Sequence, residues 1–93
     1  MTLVVRLSGA LRGFAGDVAE ITVTGEIATV GDALALLWKK VPALRDRVVT
    51  ERDEVRRHIN IFAGAEPISH RDGLATPVRP GEELFLAPAV SGG

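Results

Sequence analysis

The chain has 93 residues, a formal net charge of -1 and no cysteine. Its length fits one domain with a single core, and its balanced charge gives no reason to expect binding to nucleic acid or to an anionic membrane. The lack of cysteine excludes a disulfide framework, a cluster or zinc ion held by thiolates, and a cysteine nucleophile. Two histidines are too few to indicate a metal site, so we expect none.

The apolar segments are too short to cross a membrane. The longest strictly apolar run, residues 33–38, is stopped by Lys39 and Lys40. The amino-terminal residues also lack a basic region followed by a long apolar one. We therefore expect neither a membrane span nor a secretory signal, and we expect a cytoplasmic location.

Two strands are predicted at the beginning of the chain. Residues 2–7 alternate, with Leu3, Val5 and Leu7 on one face and Val4 and Arg6 on the other. Residues 19–24 alternate in the same way, and the loop 8–16 with its three glycines turns the chain back between them. The opening is thus predicted to be a hairpin, and we expect Phe14 to fold over one end of the core.

A helix is predicted to begin after Thr29, because Thr29 and Asp32 have the spacing of a capping box. Apolar residues then recur with helical period at Val30, Leu34, Leu37, Trp38 and Val41. Pro42 is predicted to end this helix nearby. The stretch 45–57 mixes charges of both signs, which predicts a solvated loop or a short helix.

The second half of the chain predicts three more strands. Residues 58–62 alternate, residues 66–68 are long enough only for an edge strand, and residues 83–87 form the final strand. Because Pro88 lacks an amide hydrogen, we expect it to stop the sheet ladder one residue after that strand.

This order of elements predicts an α+β fold in which one helix packs on one face of a mixed sheet. The last strand can pair in parallel beside the first, so that both are central. We expect a domain over residues 1–88 followed by a flexible tail, residues 89–93. Gly92 and Gly93 lack a Cβ atom and can pass through a narrow channel, which leaves the terminal carboxylate of Gly93 as the chemical group on offer.

A tail of this kind requires a docking surface on the folded body. Ordering residues 90–93 in a partner's channel costs about 1 to 2 kcal/mol of backbone entropy per residue, and two glycines return few contacts. The sheet face opposite the helix carries apolar side chains on strands that should be neighbours, namely Val4, Phe62, Phe85 and Ala87. We predict that these residues dock a partner, because exposed apolar patches commonly mark interfaces.

Three features together resemble the ubiquitin-like (β-grasp) sulfur carrier proteins, which include the small subunit of molybdopterin synthase and the thiamin sulfur carrier. They are the order of elements, the ending at residues 88–93 and the sequence Asp72-Gly73-Leu74-Ala75-Thr76. The resemblance extends over essentially the whole chain. The segments 58–62, 73–76 and 88–90 are most similar to the carrier that donates sulfur in O-phosphoserine-dependent cysteine biosynthesis.

The resemblance implies a four- to five-stranded sheet with one main helix, and a protein co-substrate rather than an enzyme. An E1-like adenylyltransferase, using ATP, would convert the Gly93 carboxylate to an acyl-adenylate. Sulfur would replace the adenylate, and the thiocarboxylate would deliver sulfide to a biosynthetic enzyme, with Val90, Ser91 and Gly92 threading the partner. The cysteine branch is favoured and the molybdopterin or thiamin branch is next; no bound cofactor and a monomeric free chain are expected.

Other functions stay open at the level of sequence. The chain could be a ubiquitin-like modifier joined through Gly93 to lysines of other proteins, or a β-grasp interaction subunit with an inert tail. Residues 69–72 contain the residue types of a hydrolytic triad, but adjacent residues on a loop cannot hold the geometry of a triad. We therefore expect no catalysis at that stretch.

Overall fold

A mixed five-stranded sheet forms the centre of the protein. The computed structural model describes residues 1–88, so the predicted tail lies outside the described residues. The strands are β1 (Thr2–Leu7), β2 (Glu20–Thr24), β3 (Ile59–Ala63), β4 (Glu66–Pro67) and β5 (Glu83–Pro88). Their order is β2-β1-β5-β3-β4, with β1 parallel to β5 and the other neighbours antiparallel. The predicted central pairing of the first and last strands is confirmed.

Two α-helices, α1 (Val30–Lys40) and α2 (Pro42–Val48), supply buried residues to the core on the inward face of the sheet. The predicted capping box begins α1: Thr29 Oγ1 accepts from the Asp32 amide at 3.2 Å. The Asp32 carboxylate in turn accepts from the amides of Ala28 and Thr29 at 2.9 and 3.2 Å. These donors, that of Ala28 first, hold the pKa of Asp32 below its usual range.

Helix α2 replaces part of the predicted charged loop. Pro42 occupies the start of α2, where a missing amide hydrogen costs nothing and the fixed φ suits the helix. Leu44, Val48 and Val49 are buried, while most of the charged residues between and after them are exposed. The prediction of a short helix within residues 45–57 was partly right. The helix begins earlier, at Pro42, and the prediction missed that this segment contributes to the core.

The sequence 72–76 forms a turn that is tied to the start of α1. Thr76 is fully buried, and its Oγ1 accepts from the Asp72 amide at 3.2 Å. Its carbonyl accepts from the Val30 amide at 2.9 Å. The segment 72–76 therefore has a structural role, because it holds the loop before β5 against the start of α1.

The expectation that Phe14 covers one end of the core was wrong. Phe14 lies in a 3-10 helix (Gly9–Ala15) and is 37% exposed. Leu11, one turn earlier, takes the core position. The ring of Phe14 instead lies under the guanidinium of Arg47, 4.4 Å from its centroid, which is a cation–π contact.

Pro88 is part of β5 rather than the residue after it. It lies opposite Ile59 of β3, so the ladder continues on that side. The carbonyl of Leu86 accepts a hydrogen bond from the Ser8 amide, so the backbone N and O atoms of Leu86 point towards β1. Backbone groups two residues apart in a strand point to the same side, so the nitrogen of Pro88 also points towards the β1 side. Because β1 has already ended at Leu7, the missing donor of Pro88 falls where no strand needs it.

Candidate docking face and tail exit

The outward face of the sheet, opposite the helices, carries a row of side chains that crosses all five strands. Pairing registers place this row, strand by strand, at Glu20, Arg6, Phe85, Phe62 and Pro67. Alternation along each strand points these positions away from the core. The two aromatic residues singled out from the sequence are direct neighbours in this row.

Phe62 and Phe85 form an edge-to-face pair across β3 and β5. Their ring centroids are 6.1 Å apart and the ring planes meet at 67°. Both side chains are half-buried, and the geometry lies in the range that aromatic pairs favour. Since each ring supports the other on a paired strand, the two present a fixed apolar surface.

Val4 and Ala87 share the outward face but extend the surface in different directions. Val4 lies opposite Glu83 rather than beside a ring, and Ala87 lies two residues beyond Phe85 towards the tail. Both are half-buried. All four predicted residues therefore face the same side, with the aromatic pair at the centre, and their docking role stays a prediction.

Arg6 forms a charged cluster beside the rings that sequence reasoning missed. Its Nε lies 2.6 Å from Glu83 Oε1, its second terminal nitrogen lies 3.3 Å from Glu83 Oε2, and its Nη1 lies 2.5 Å from Glu20 Oε1. The hydrogen bond to Glu83 contributes most to raising the pKa of Arg6, and it lowers the pKa of Glu83. The signal in the sequence was the outward parity of Arg6, but the strand register was needed to find its partners.

The tail exit, which we define as Pro88 with Gly9 and Ile59, lies at the end of β5. Gly9 has a φ of +61°, and a Cβ atom added there would lie 3.2 Å from Pro88 Cγ. Glycine thus permits both the left-handed backbone and the close approach to the proline ring. The predicted threading residues and the predicted reactive residue, Val90, Ser91, Gly92 and Gly93, lie outside the described residues.

Residues 1–88 show neither a metal site nor a membrane-spanning helix, and the residues 69–72 do not form a catalytic triad. Over residues 1–88 no group of three or more metal-ligating side chains could hold a metal ion. In the same range no helix is long and apolar enough to cross a bilayer. Ser69 and His70 lie exposed in a 3-10 turn, and Arg71 pairs with Glu66 at 3.7 Å.

A comparison with protein families matches the ThiS family over residues 5–93, which is the chain from β1 through its last glycine. The chain belongs to the ThiS family. This membership confirms the resemblance to ubiquitin-like sulfur carriers that the glycine ending and the order of elements indicate.

Two full-length relatives have names that point to different roles. Small archaeal modifier protein 3 of Haloferax volcanii is 31% identical over 93 residues, which cover all of both chains. The sulfur carrier protein CysO of Mycobacterium tuberculosis is 25% identical over 95 aligned residues, which also cover all of both chains. The relatives are thus a modifier and a sulfur carrier, both of about the same length as this chain.

Solved structures support the same assignment. A chain in the crystal structure of the Amycolatopsis orientalis BexX/CysO complex superposes with a TM-score of 0.85 at 27% identity, covering 98% of this chain and 99% of that one. Together with the mixed sheet and helix α1, this similarity confirms the prediction of a ubiquitin-like β-grasp fold.

Proposed function

We propose that this ThiS-family chain is a sulfur carrier whose reacting group is the Gly93 carboxylate. One observation carries the proposal: β5, a central strand of the sheet, ends at Pro88, five residues before the last residue of a Gly-Gly ending that the family match includes. The similarity to a sulfur carrier protein over the whole chain supports it. In this role the chain is a co-substrate of partner enzymes and not a catalyst.

The chemistry requires activation of the carboxylate. A terminal carboxylate has a pKa near roughly 3.5, is ionised in the cell and is a poor electrophile. An oxygen of Gly93 attacks the α-phosphorus of ATP on an E1-like adenylyltransferase, and pyrophosphate leaves. Hydrosulfide, supplied by a sulfide donor, then attacks the carbonyl carbon, AMP leaves with one former carboxylate oxygen, and loss of the proton on sulfur yields the thiocarboxylate.

The outward face supplies part of the binding free energy that the threaded tail requires. Ordering residues 90–93 costs about 4 to 8 kcal/mol in total. Because both rings of the aromatic pair are already half-buried, roughly 100 Å² of ring surface is left to bury, which at about 25 cal/mol per Å² contributes about 2 to 3 kcal/mol. The enzyme therefore needs contacts with the folded body beyond Phe62 and Phe85.

The thiocarboxylate then delivers sulfide to a second enzyme. The similarity of segments 58–62, 73–76 and 88–90 to the carrier of cysteine biosynthesis favours a cysteine-forming acceptor, ahead of a molybdopterin or thiamin acceptor. The BexX/CysO complex supports the idea that a carrier of this fold acts bound to another protein.

The test is the intact mass of the chain after incubation with ATP, a sulfide donor and the adenylyltransferase of its host. We expect a species heavier by the exchange of one oxygen for sulfur, located at Gly93 and consumed by a thiocarboxylate-selective reagent. Gly93→Ala should lose this species, because the added Cβ obstructs a channel shaped for glycine. Gly13→Ala is the matched control, since a Cβ at Gly13 meets nothing within 4 Å.

The relative named a small archaeal modifier favours one second candidate, conjugation through Gly93 to lysines of other proteins. In that case an antibody against the chain detects a ladder of heavier species in host lysate, and deleting Gly92 and Gly93 removes the ladder. The two functions can coexist, since both begin with the acyl-adenylate. If wild-type protein gains neither sulfur nor conjugates, both are wrong and the chain is an interaction subunit.

A further inference from the structure

A group of basic side chains lies next to the tail exit. His58 directly precedes Ile59, which is the residue opposite Pro88. His58, Arg56 and Arg47 line one surface depression together with Asp46. We call Arg47, Arg56 and His58, together with the exposed Arg57 that lies between the last two in the chain, the basic collar.

Contacts within the fold hold two of these arginines in place. The Arg47 guanidinium lies over Phe14, in the same 3-10 helix whose Gly9 approaches Pro88. Arg56 Nε donates to the Asp46 carbonyl at 2.7 Å. The basic collar is therefore attached to the same elements that form the tail exit.

The ion pairs of this segment are made with Arg45 rather than with the arginines of the basic collar. Asp46 and Asp53 bind Arg45, at 3.2 and 2.6 Å. Glu51 and Glu54 lie in the turn beyond the bridge that pairs Val49 with Val55. In the part of the chain from 1 to 88, no arginine of the basic collar has a carboxylate within ion-pair distance.

The reach of the tail puts this surface at the interface with any enzyme that reacts at Gly93. Five residues follow Pro88, and an extended chain spans at most about 3.6 Å per residue, or about 18 Å in total. An enzyme whose active site holds Gly93 must therefore approach Pro88 within about that distance. His58 of the basic collar directly precedes Ile59, which pairs with Pro88, so the collar lies on the side from which such an enzyme approaches.

We propose that the basic collar docks against an acidic rim around the tail channel of the adenylating enzyme. The inference rests on the proposed function. It supplies the further contacts with the folded body that the enzyme needs beyond the aromatic pair. On the outward face the charge has the opposite sign, because Arg6 pairs with Glu20 and Glu83 and a third carboxylate, that of Glu82, lines the depression beside the rings. Two surfaces of opposite charge fix the orientation of the carrier, so that the tail points into the channel.

A protein partner fits this surface better than a nucleic acid. The collar has three arginines and one histidine, and the whole chain has a net charge of -1. Nucleic-acid sites draw affinity from many phosphate contacts on a strongly basic surface, which this chain does not offer. A short acidic rim on an enzyme matches the size and charge of the collar.

The test is the KM for the carrier in ATP–pyrophosphate exchange with the purified adenylyltransferase of the host. Arg57→Glu is the primary variant, because Arg57 is exposed and its side chain makes no hydrogen bond or ion pair with residues 1–88. We expect its KM to rise about fivefold to tenfold at low salt with kcat unchanged, and the difference to shrink at high salt. Arg57→Lys should behave as wild type, because it keeps the charge.

Arg79→Glu is the matched control, since it reverses the same charge before the opposite end of β5. Equal KM values for Arg57→Glu and Arg79→Glu, with wild type reacting normally, overturn the collar alone. A wild-type chain that supports no exchange overturns the proposed function and the collar together. Binding of a short duplex DNA or RNA that Arg57→Glu abolishes, with KM unchanged, assigns the collar to nucleic acid and overturns the protein partner.

Discussion

Arg6 determines the character of the outward face at the scale of single residues. Two carboxylates from different strands grip its guanidinium, and the strand register puts Phe85 directly beside it. The apolar surface of the rings thus has a charged border on the β1 side. A partner that covers Phe85 must also accommodate this cluster, which adds selectivity to an otherwise apolar contact.

The pairing of Glu83 with Arg6 makes stability depend on pH. Because Arg6 lowers the pKa of Glu83 from its usual 4.5, the stabilisation is present above that value and is lost as the pH falls through the lowered pKa. Glu83→Gln should therefore lower the free energy of unfolding at neutral pH, and the difference from wild type should vanish in strong acid. Urea unfolding over this pH range measures it.

Glu51→Gln serves as the control for the loss of one carboxylate, since Glu51 lies exposed in the turn after Val49. It should leave the unfolding free energy close to that of wild type at neutral pH. If the unfolding free energy of Glu83→Gln stays below that of wild type by the same amount down to strong acid, the destabilisation does not come from losing the charged form of Glu83.

At the scale of elements, the contact between the 3-10 helix and β5 defines where the strand ends. Gly9 permits a left-handed turn directly after β1, and the turn packs on the ring of Pro88. β3 pairs with Pro88 on the other side. The last residue before the tail is therefore held from two directions.

Gly9→Ala tests this contact, and Gly16→Ala is its matched control. Both glycines have positive φ, +61° and +69°, so alanine costs about 1 to 2 kcal/mol of backbone strain at either position. Only at Gly9 does the new Cβ meet Pro88, so Gly9→Ala should destabilise by roughly 1 kcal/mol more. Urea unfolding gives the free energies, and the amide shift of Ile59 should move in Gly9→Ala alone. Equal losses would show that the contact is unimportant.

The elements that the sequence predicted well are those with local signals. Alternation specified β1, and the spacing of Thr29 and Asp32 specified the start of α1. The role of Pro88 was missed because it depends on where β1 stops, which is a fact about another strand. The partners of Arg6 were missed for the same reason, since they come from strands far apart in the sequence.

At the scale of the whole molecule, β5 connects the outward face to the tail. Its residues run from Glu83, which binds Arg6, through Phe85 in the aromatic pair, to Pro88 at the tail exit. β1 pairs with β5 as far as Leu86 and β3 pairs with it as far as Pro88, so a strand holds this path at every residue. An enzyme that grips the aromatic pair therefore fixes the point from which the tail enters its channel, and this reduces the conformations that the tail must lose on binding.

Phe85→Ala should separate docking from folding. Truncating a half-buried ring at the centre of an interface typically weakens binding by about 1 to 2 kcal/mol, which is roughly tenfold in Kd. Titration calorimetry with the adenylyltransferase measures the affinity, and thermal unfolding monitored by circular dichroism verifies that the variant is folded. Leu36→Ala is the control, because Leu36 is also half-buried but lies on α1, on the other side of the sheet. If both variants bind as wild type does, the enzyme uses another face, and the two rings of the aromatic pair only cover the outward face of the sheet.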